Sequence, residues 1–184
     1  MSDLDILHQL IKTAATVPLL DKSGKKSVLL SEPQHPNSKV TILGLPDNAI
    51  VIKVDAFKAP DAIFNGSQGE CKRADFIIVA NTGNKKSIVF IEMKATKASE
   101  KEIIRQLTGA SCFIHYCKEI VSSFWKQQNF LKGYSFRFIS ISHTSISKRR
   151  TRIDRKTGVH DCPEKMLKIS APHHLQFDQL AGKS

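Results

Sequence analysis

Apolar residues recur along this chain in two distinct patterns, one helical and one stranded. Over residues 98–121, Ile103, Leu107, Ala110, Ile114, Cys117 and Val121 return every three or four positions. That period predicts one long amphipathic helix, with Ser99 placed to cap it. A shorter helix is predicted from Ser2 or Asp3 to about Thr16, with Leu4, Leu7, Ile11 and Ala14 or Ala15 on one face and Pro18 beyond its end. Strands are predicted at 39–43 and 49–54, joined by the turn LPDN, and at 135–142, where SFRFISIS alternates. Residues 75–80 and 87–94 flank NTGNKK and read as a hairpin with Gly83 in its turn. Residues 27–30 form a short apolar run. Residues 166–170 read as a last strand, and LQFDQL as a short closing helix. Two prolines make 31–38 loop-like, and Pro60, Gly66 and Gly69 do the same for 58–72. The order predicts an α/β fold, a central mixed sheet with helices packed on it.

The hairpin carries the charges of interest. With its turn centred at Gly83–Asn84, Asp75 faces Glu92, Ile77 faces Phe90, and Val79 faces Ile88. Alternation then places Asp75, Glu92 and Lys94 on one face at the open end. Two carboxylates directly opposite each other repel, and a divalent cation between them converts repulsion into ligation. Mg²⁺ suits such oxygens, and the main-chain carbonyl of Met93 is a further candidate ligand. Lys94, on the same face, is placed to stabilise an attacking hydroxide or the charge on a phosphate. Together these groups fit metal-assisted phosphodiester hydrolysis. The same residues at a solvent-facing strand end would form only ordinary, weak ion pairs.

Composition adds a partner. The 184 residues carry 28 Lys+Arg against 17 Asp+Glu, a net charge of +11, which attracts a polyanion and above all nucleic acid. Lys148, Arg149, Arg150, Arg152, Arg155 and Lys156 fall within nine residues, in a basic loop at 148–158 that suits phosphate contact. Lys72 and Arg73, just before Asp75, could serve the same purpose. No apolar run is long enough to cross a membrane, and MSDLDILHQL lacks the basic-then-apolar order of a signal peptide. The four Cys show no CxxC pair, so reduced thiols and a cytoplasmic protein are expected. The length suits one domain over 1–184, with a core at about 39–142 and a C-terminal tail at 164–184.

Asp75 in KRADFIIV, followed by Glu92 and Lys94 in IVFIEMK and then a long helix, resembles the PD-(D/E)xK nuclease superfamily. The resemblance covers residues 70 to about 140 well. It implies a restriction-endonuclease-like fold, a central mixed β-sheet flanked by helices. It also implies a Mg²⁺- or Mn²⁺-dependent endonuclease, with Asp75 and Glu92 as metal ligands and Lys94 as the catalytic lysine. Many members present a Gln from the following helix, and Gln106 in RQLTG stands at a suitable place. The pairs Pro46–Asp47 and Pro60–Asp61 lie far from the Glu-x-Lys and are coincidental. The first helix lacks the usual interior acidic residue, so Glu32 or Glu70 is the candidate extra ligand. Ala110 stands where some recombination-type members carry Tyr.

The substrate implied is DNA ahead of RNA, cut by a homodimer or by the nuclease subunit of a larger assembly, such as one acting against foreign DNA. A ribonuclease or toxin on the same fold, and a non-catalytic nucleic-acid-binding module, are the alternatives. His160, Asp161, Cys162, His173 and His174 match no zinc spacing. Phe124 and Trp125 read as core or interface anchors, and His115 and Tyr116 as helix surface.

Overall fold

A computed structural model describes residues 1–22, 24–32, 35–143, 158–170 and 172–182. The fold is mixed α/β, and it is built on two sheets where the sequence predicts one. The larger sheet holds five strands in the order β4-β5-β6-β7-β8: β4 (Ala49–Lys53), β5 (Phe76–Asn81), β6 (Lys86–Lys94), β7 (Ser135–Ser142) and β8 (Leu167–Ser170). β4, β5 and β6 are antiparallel neighbours, and β6, β7 and β8 are parallel. The smaller sheet runs β1 (Leu20–Lys22), β2 (Lys25–Glu32), β3 (His35–Leu45), then β9 (His174–Gln176).

Burial explains the two kinds of strand pattern. β5 and β6 are covered on both faces, so FIIVA and SIVFI are buried at every position and show no alternation. β2 faces solvent on one side and alternates: Val28 and Leu30 are buried while Leu29 is exposed. One face of the five-stranded sheet packs Phe76, Ile78, Val89, Ile91 and Met93 against Val28, Leu30, Val40 and Ile42 of the smaller sheet. The other face packs Ile77, Val79, Ile88 and Phe90 under α1 (Asp3–Leu10) and α2 (Glu100–Ile120). Helices therefore cover one face of the larger sheet and a second sheet covers the other.

The long helix forms as its period predicts. The Ser99 side chain accepts from Glu102 N, and Leu107, Ala110, Ile114 and Cys117 are its buried stripe. The first helix is shorter than expected. Ser2 and Asp5 form a reciprocal capping box, but regular helix ends at Leu10, and Thr13–Ala15 makes only a 3₁₀ turn before Pro18.

Residues 31–38 are not a free loop. β2 and β3 continue as a hairpin to the pair Glu32 and His35, and Pro36 sits where the register slips between Ser31–Lys39 and Glu32–His35. A bulge tolerates proline because no ladder hydrogen bond is lost there. LPDN joins β3 to β4, as predicted, but the two strands belong to different sheets and the turn carries the chain between them. LQFDQL begins as β9 and only then becomes helical, as α3 (Phe177–Ala181). Phe177, Leu180 and Ala181 join the buried layer between the sheets, so the C-terminal segment belongs to the core. All four cysteines are free, and no helix among the described residues is long and apolar enough to cross a membrane.

Candidate active site

The hairpin adopts the register expected from its turn. Phe76 pairs with Ile91, Ile77 with Phe90 and Val79 with Ile88; the ladder ends there, and Asp75 stands in a bend just before β5, close enough for its charge to act on Glu92. The turn is closed by Thr82 N donating to Lys85 O at 2.9 Å, with Gly83 at φ +86°. That conformation favours glycine, because a Cβ would crowd the following carbonyl.

Alternation carries Asp75, Glu92 and Lys94 onto the helix-covered face, in line with Ile77, Ile88 and Phe90. Glu92 is therefore drawn into a hydrophobic layer and is 1% exposed. Both its oxygens are buried without a hydrogen bond. Lys94 Nζ lies 2.7 Å from Glu92 Oε1, an ion-pair contact that makes Lys94 the partner of this buried carboxylate. Asp75 is fixed at two points. Its carbonyl accepts from Val54 N at 2.8 Å, and its Oδ2 accepts from Met93 N at 2.7 Å. Met93 turns its side chain into the layer between the sheets, so any ligand it offers is its main-chain carbonyl.

The electrostatics follow from burial. Desolvation pushes Glu92 up to about 8, and the nearby Asp75 charge adds to it against the pull of Lys94. Desolvation also raises Asp75 to about 6, with the Met93 N–H opposing and the Glu32 charge assisting. Burial by itself lowers Lys94, but Glu92 and Asp75 outweigh it and hold the ammonium above its ordinary value. These directions compete, since a neutral Glu92 would give Lys94 no anion. The direction that governs is Glu92's, because its carboxyl is 1% exposed whereas Lys94 keeps 19% of its side chain in solvent.

Three further residues bear on the site. Glu32, at the end of β2, has a buried Oε2 without a partner, and its charge acts on both Asp75 and Glu92. Both Glu70 oxygens are instead taken up by its own loop, accepting from Gly66 N and Gln68 N at 2.9 Å each. Of the two candidate extra acids, Glu32 is the one whose charge reaches the pair. Glu102 acts on Lys94 from the first turn of α2. Gln106 lies one turn further along the same helix face, and its Oε1 is buried without a partner. Sequence reasoning passed over Glu102, although its position four residues before Gln106 was a usable signal.

The hairpin end is braced from both sides. His143 N donates to Lys94 O at 2.8 Å. The His143 ring joins Ser38 Oγ of the smaller sheet to Pro172 O, both at 3.2 Å. Since Pro172 O can only accept, the proton belongs on Nε2, and Nδ1 accepts from Ser38. On the helix side, a Cβ on Gly109 would lie 1.7 Å from Lys72 O. Glycine inside α2 therefore lets the segment before Asp75 rest directly on the helix.

Lys72 is exposed and Arg73 half-buried, with Arg73 Nη2 donating to Asp55 O at 3.3 Å. Lys148, Arg149, Arg150, Arg152, Arg155 and Lys156 lie outside the described residues. Trp125 packs against the helix-side core and donates to Gln9 Oε1 at 3.2 Å, while Phe124 is 77% exposed. Tyr116 and His115 are on the helix surface, as expected.

Among the described residues, no three His, Cys, Asp or Glu side chains converge to hold a metal ion. Asp75 and Glu92 form a pair. Their donor set nevertheless fits a hard divalent cation, because two nearby carboxyl groups keep oxygens to offer, Glu92 Oε2 buried without a hydrogen bond and Asp75 Oδ1 beside the Oδ2 that Met93 N occupies. Compared with protein-family models, curated proteins and solved structures, the chain finds no match.

Proposed function

We propose that this chain is a metal-dependent nuclease with a restriction-endonuclease-like core, hydrolysing phosphodiester bonds in DNA ahead of RNA. The observation that carries the proposal is the open end of the hairpin. There the Asp75 charge acts on the buried Glu92, Lys94 touches Glu92 Oε1 at 2.7 Å, and Glu92 Oε2 is buried without a hydrogen bond. A buried carboxylate whose one partner is Lys94, with its second oxygen unbonded, still costs stability, and a cation at that oxygen would offset the cost. Further support comes from the long helix α2, which follows the Glu92–Lys94 strand as in the pattern that carries the resemblance.

Asp75 and Glu92 would hold Mg²⁺ or Mn²⁺, with the Met93 carbonyl as a further donor and Glu32 as the extra acid. A cation bound there would supply Lewis-acid polarisation of the phosphate and a more acidic water. The chain's own residues do the rest. Lys94 places positive charge beside the phosphate, where negative charge builds as water oxygen bonds to phosphorus and the ester P–O bond breaks. The attacking water gives up one proton to solvent and the leaving oxygen takes one from solvent, so the step balances overall. Glu102 and Gln106 position Lys94 and the water from the helix side, and Lys72 and Arg73 hold neighbouring phosphates. A homodimer, or a subunit of a larger assembly such as a defence system, would place two such sites on two strands.

A non-catalytic binding module is favoured by one observation, the lack of a three-acid cluster among the described residues. Cleavage separates the two readings. Wild type and Lys94→Ala are incubated with supercoiled, linear and single-stranded DNA and with RNA, in Mg²⁺, Mn²⁺ or EDTA. Cleavage that needs metal and is lost in the variant supports the nuclease, and the preferred substrate separates DNase from ribonuclease. Equal cleavage by both proteins, or binding without cleavage by wild type, would refute it.

A further inference from the structure

A second feature lies beside the hairpin end, on the flank of α2. A cleft of about 400 Å³ opens between the 57–73 segment and that helix. Its lining is aromatic: Phe57, Phe64, Phe113 and Tyr116. Phe57 meets Phe113 at 5.2 Å and Tyr116 at 6.2 Å between ring centroids, both tilted. Phe64 and Tyr116 nevertheless keep 53% and 54% of their surface in solvent. Aromatic rings left this open are not there for core packing.

The cleft is also cationic. Lys72 and Arg73 line it, and Arg73 Nε is buried without a partner. The one carboxylate in the lining, Glu70, already accepts two main-chain N–H groups of its own loop. A groove for a purely apolar segment would have no use for an arginine with a donor unsatisfied. Open aromatic rings beside Lys and Arg, on a chain of net charge +11, suit an occupant with a flat π-face and an attached phosphate.

The cleft lies a short way along the chain from the candidate active site. Lys72 is three residues from Asp75, at most about 11 Å of chain. Gly109 lines the cleft seven residues after Glu102, about 10 Å along the helix axis. A strand lying along Lys72 and Arg73 would thus have one base in the cleft while a nearby phosphate reaches Lys94.

We propose that this cleft is a nucleobase-binding subsite, that Phe64 and Tyr116 stack on an unpaired base, and that Lys72 and Arg73 hold its phosphate. The substrate class is then single-stranded nucleic acid, or a strand with an unstacked base, which deepens the nuclease reading and rests on it.

The test is binding without turnover. The full chain in EDTA is titrated with short fluorescent strands: single-stranded DNA, single-stranded RNA, the matching duplex, and single-stranded DNA with abasic sites. The proposal expects tighter binding of a single strand than of the duplex. It expects Tyr116→Ala and Phe64→Ala to weaken single-strand binding by roughly five- to a hundredfold each, with Tyr116→Phe restoring it and the abasic strand insensitive to either. Whichever sugar binds more tightly names the substrate's backbone. Cys112 lines the same cleft and is exposed, so a bound strand should slow its alkylation.

Equal binding of normal and abasic strands, wild-type affinity in both alanine variants, or unprotected Cys112 would overturn the proposal. The nuclease reading fails separately. Base-dependent binding by a wild type that never cleaves would uphold the cleft alone. Cleavage by a wild type whose binding ignores Tyr116 and Phe64 would uphold the nuclease alone.

Discussion

The two ends of the β5–β6 hairpin share a register, a face and a covering helix, yet they hold opposite chemistry. Toward the turn, Val79 faces Ile88 and Ile77 faces Phe90, all fully buried. At the open end, just past the last ladder pair, Asp75 comes close enough for its charge to act on Glu92. The apolar pairs stabilise the fold by removing hydrocarbon from water, on the order of 1.5–3 kcal/mol for each large side chain. The carboxylate pair cannot do so, because burial penalises both charges, the Asp75 charge raises Glu92 further, and the Glu32 charge raises both. One hairpin thus does structural work at one end and holds two desolvated carboxyl groups at the other. Charge kept in place against stability is a mark of a functional site.

The largest effect should come from Lys94. Lys94→Ala is expected to lower metal-dependent cleavage by about 10²–10³-fold while leaving the melting temperature near wild type, as paired turnover and unfolding curves would check. Cleavage retained in this variant would erase the distinction between the two ends.

Stability sharpens the comparison next. Ile88→Ala should cost about 2–5 kcal/mol at any pH, by transfer and cavity terms. Glu92→Gln should behave oppositely. A carboxyl whose folded pKa stands above its ordinary 4.5, at about 8, takes up a proton on folding. Its contribution is complete below pH 4.5 and is lost as pH rises through 8, on the order of a few kcal/mol. Without divalent cations the variant should therefore match wild type near pH 5 and exceed it above pH 8. Denaturant melts across that range would read the crossing, and a variant less stable at pH 8 would contradict the assignment.

Gly109→Ala probes how the open end is held. Its Cβ would meet the Lys72 carbonyl, and main chain cannot give way as a side-chain tip can. A cost of about 1–3 kcal/mol or more is expected, together with reduced cleavage from displaced Asp75. The smallest effect belongs to Ser99→Ala, which removes the cap of α2 at about 1 kcal/mol. It should leave the pH dependence of cleavage unchanged.

Legibility in the sequence divides along the same line between local and long-range structure. The hairpin register could be read because Gly83 marks a short turn between two unbroken apolar runs. The long helix could be read from its period and cap. The second sheet could not. Val28, Leu30, Val40 and Ile42 alternate on strands separated by prolines, and β9 has three residues whose partner, β3, lies more than a hundred positions away. Glu32 could be suspected but not placed, because its approach to Asp75 and Glu92 depends on sheet packing. The reason for glycine at 109 lies in a contact with Lys72, which no local pattern encodes.

The central claim is that the open end holds a divalent cation, and calorimetric titration of Mn²⁺ into the apo protein at pH 7.5 tests it most directly. Saturable binding by wild type, lost in Glu92→Gln although that variant remains folded, is the result predicted. Wild type that takes up no Mn²⁺, or Glu92→Gln that binds it equally well, would contradict the account.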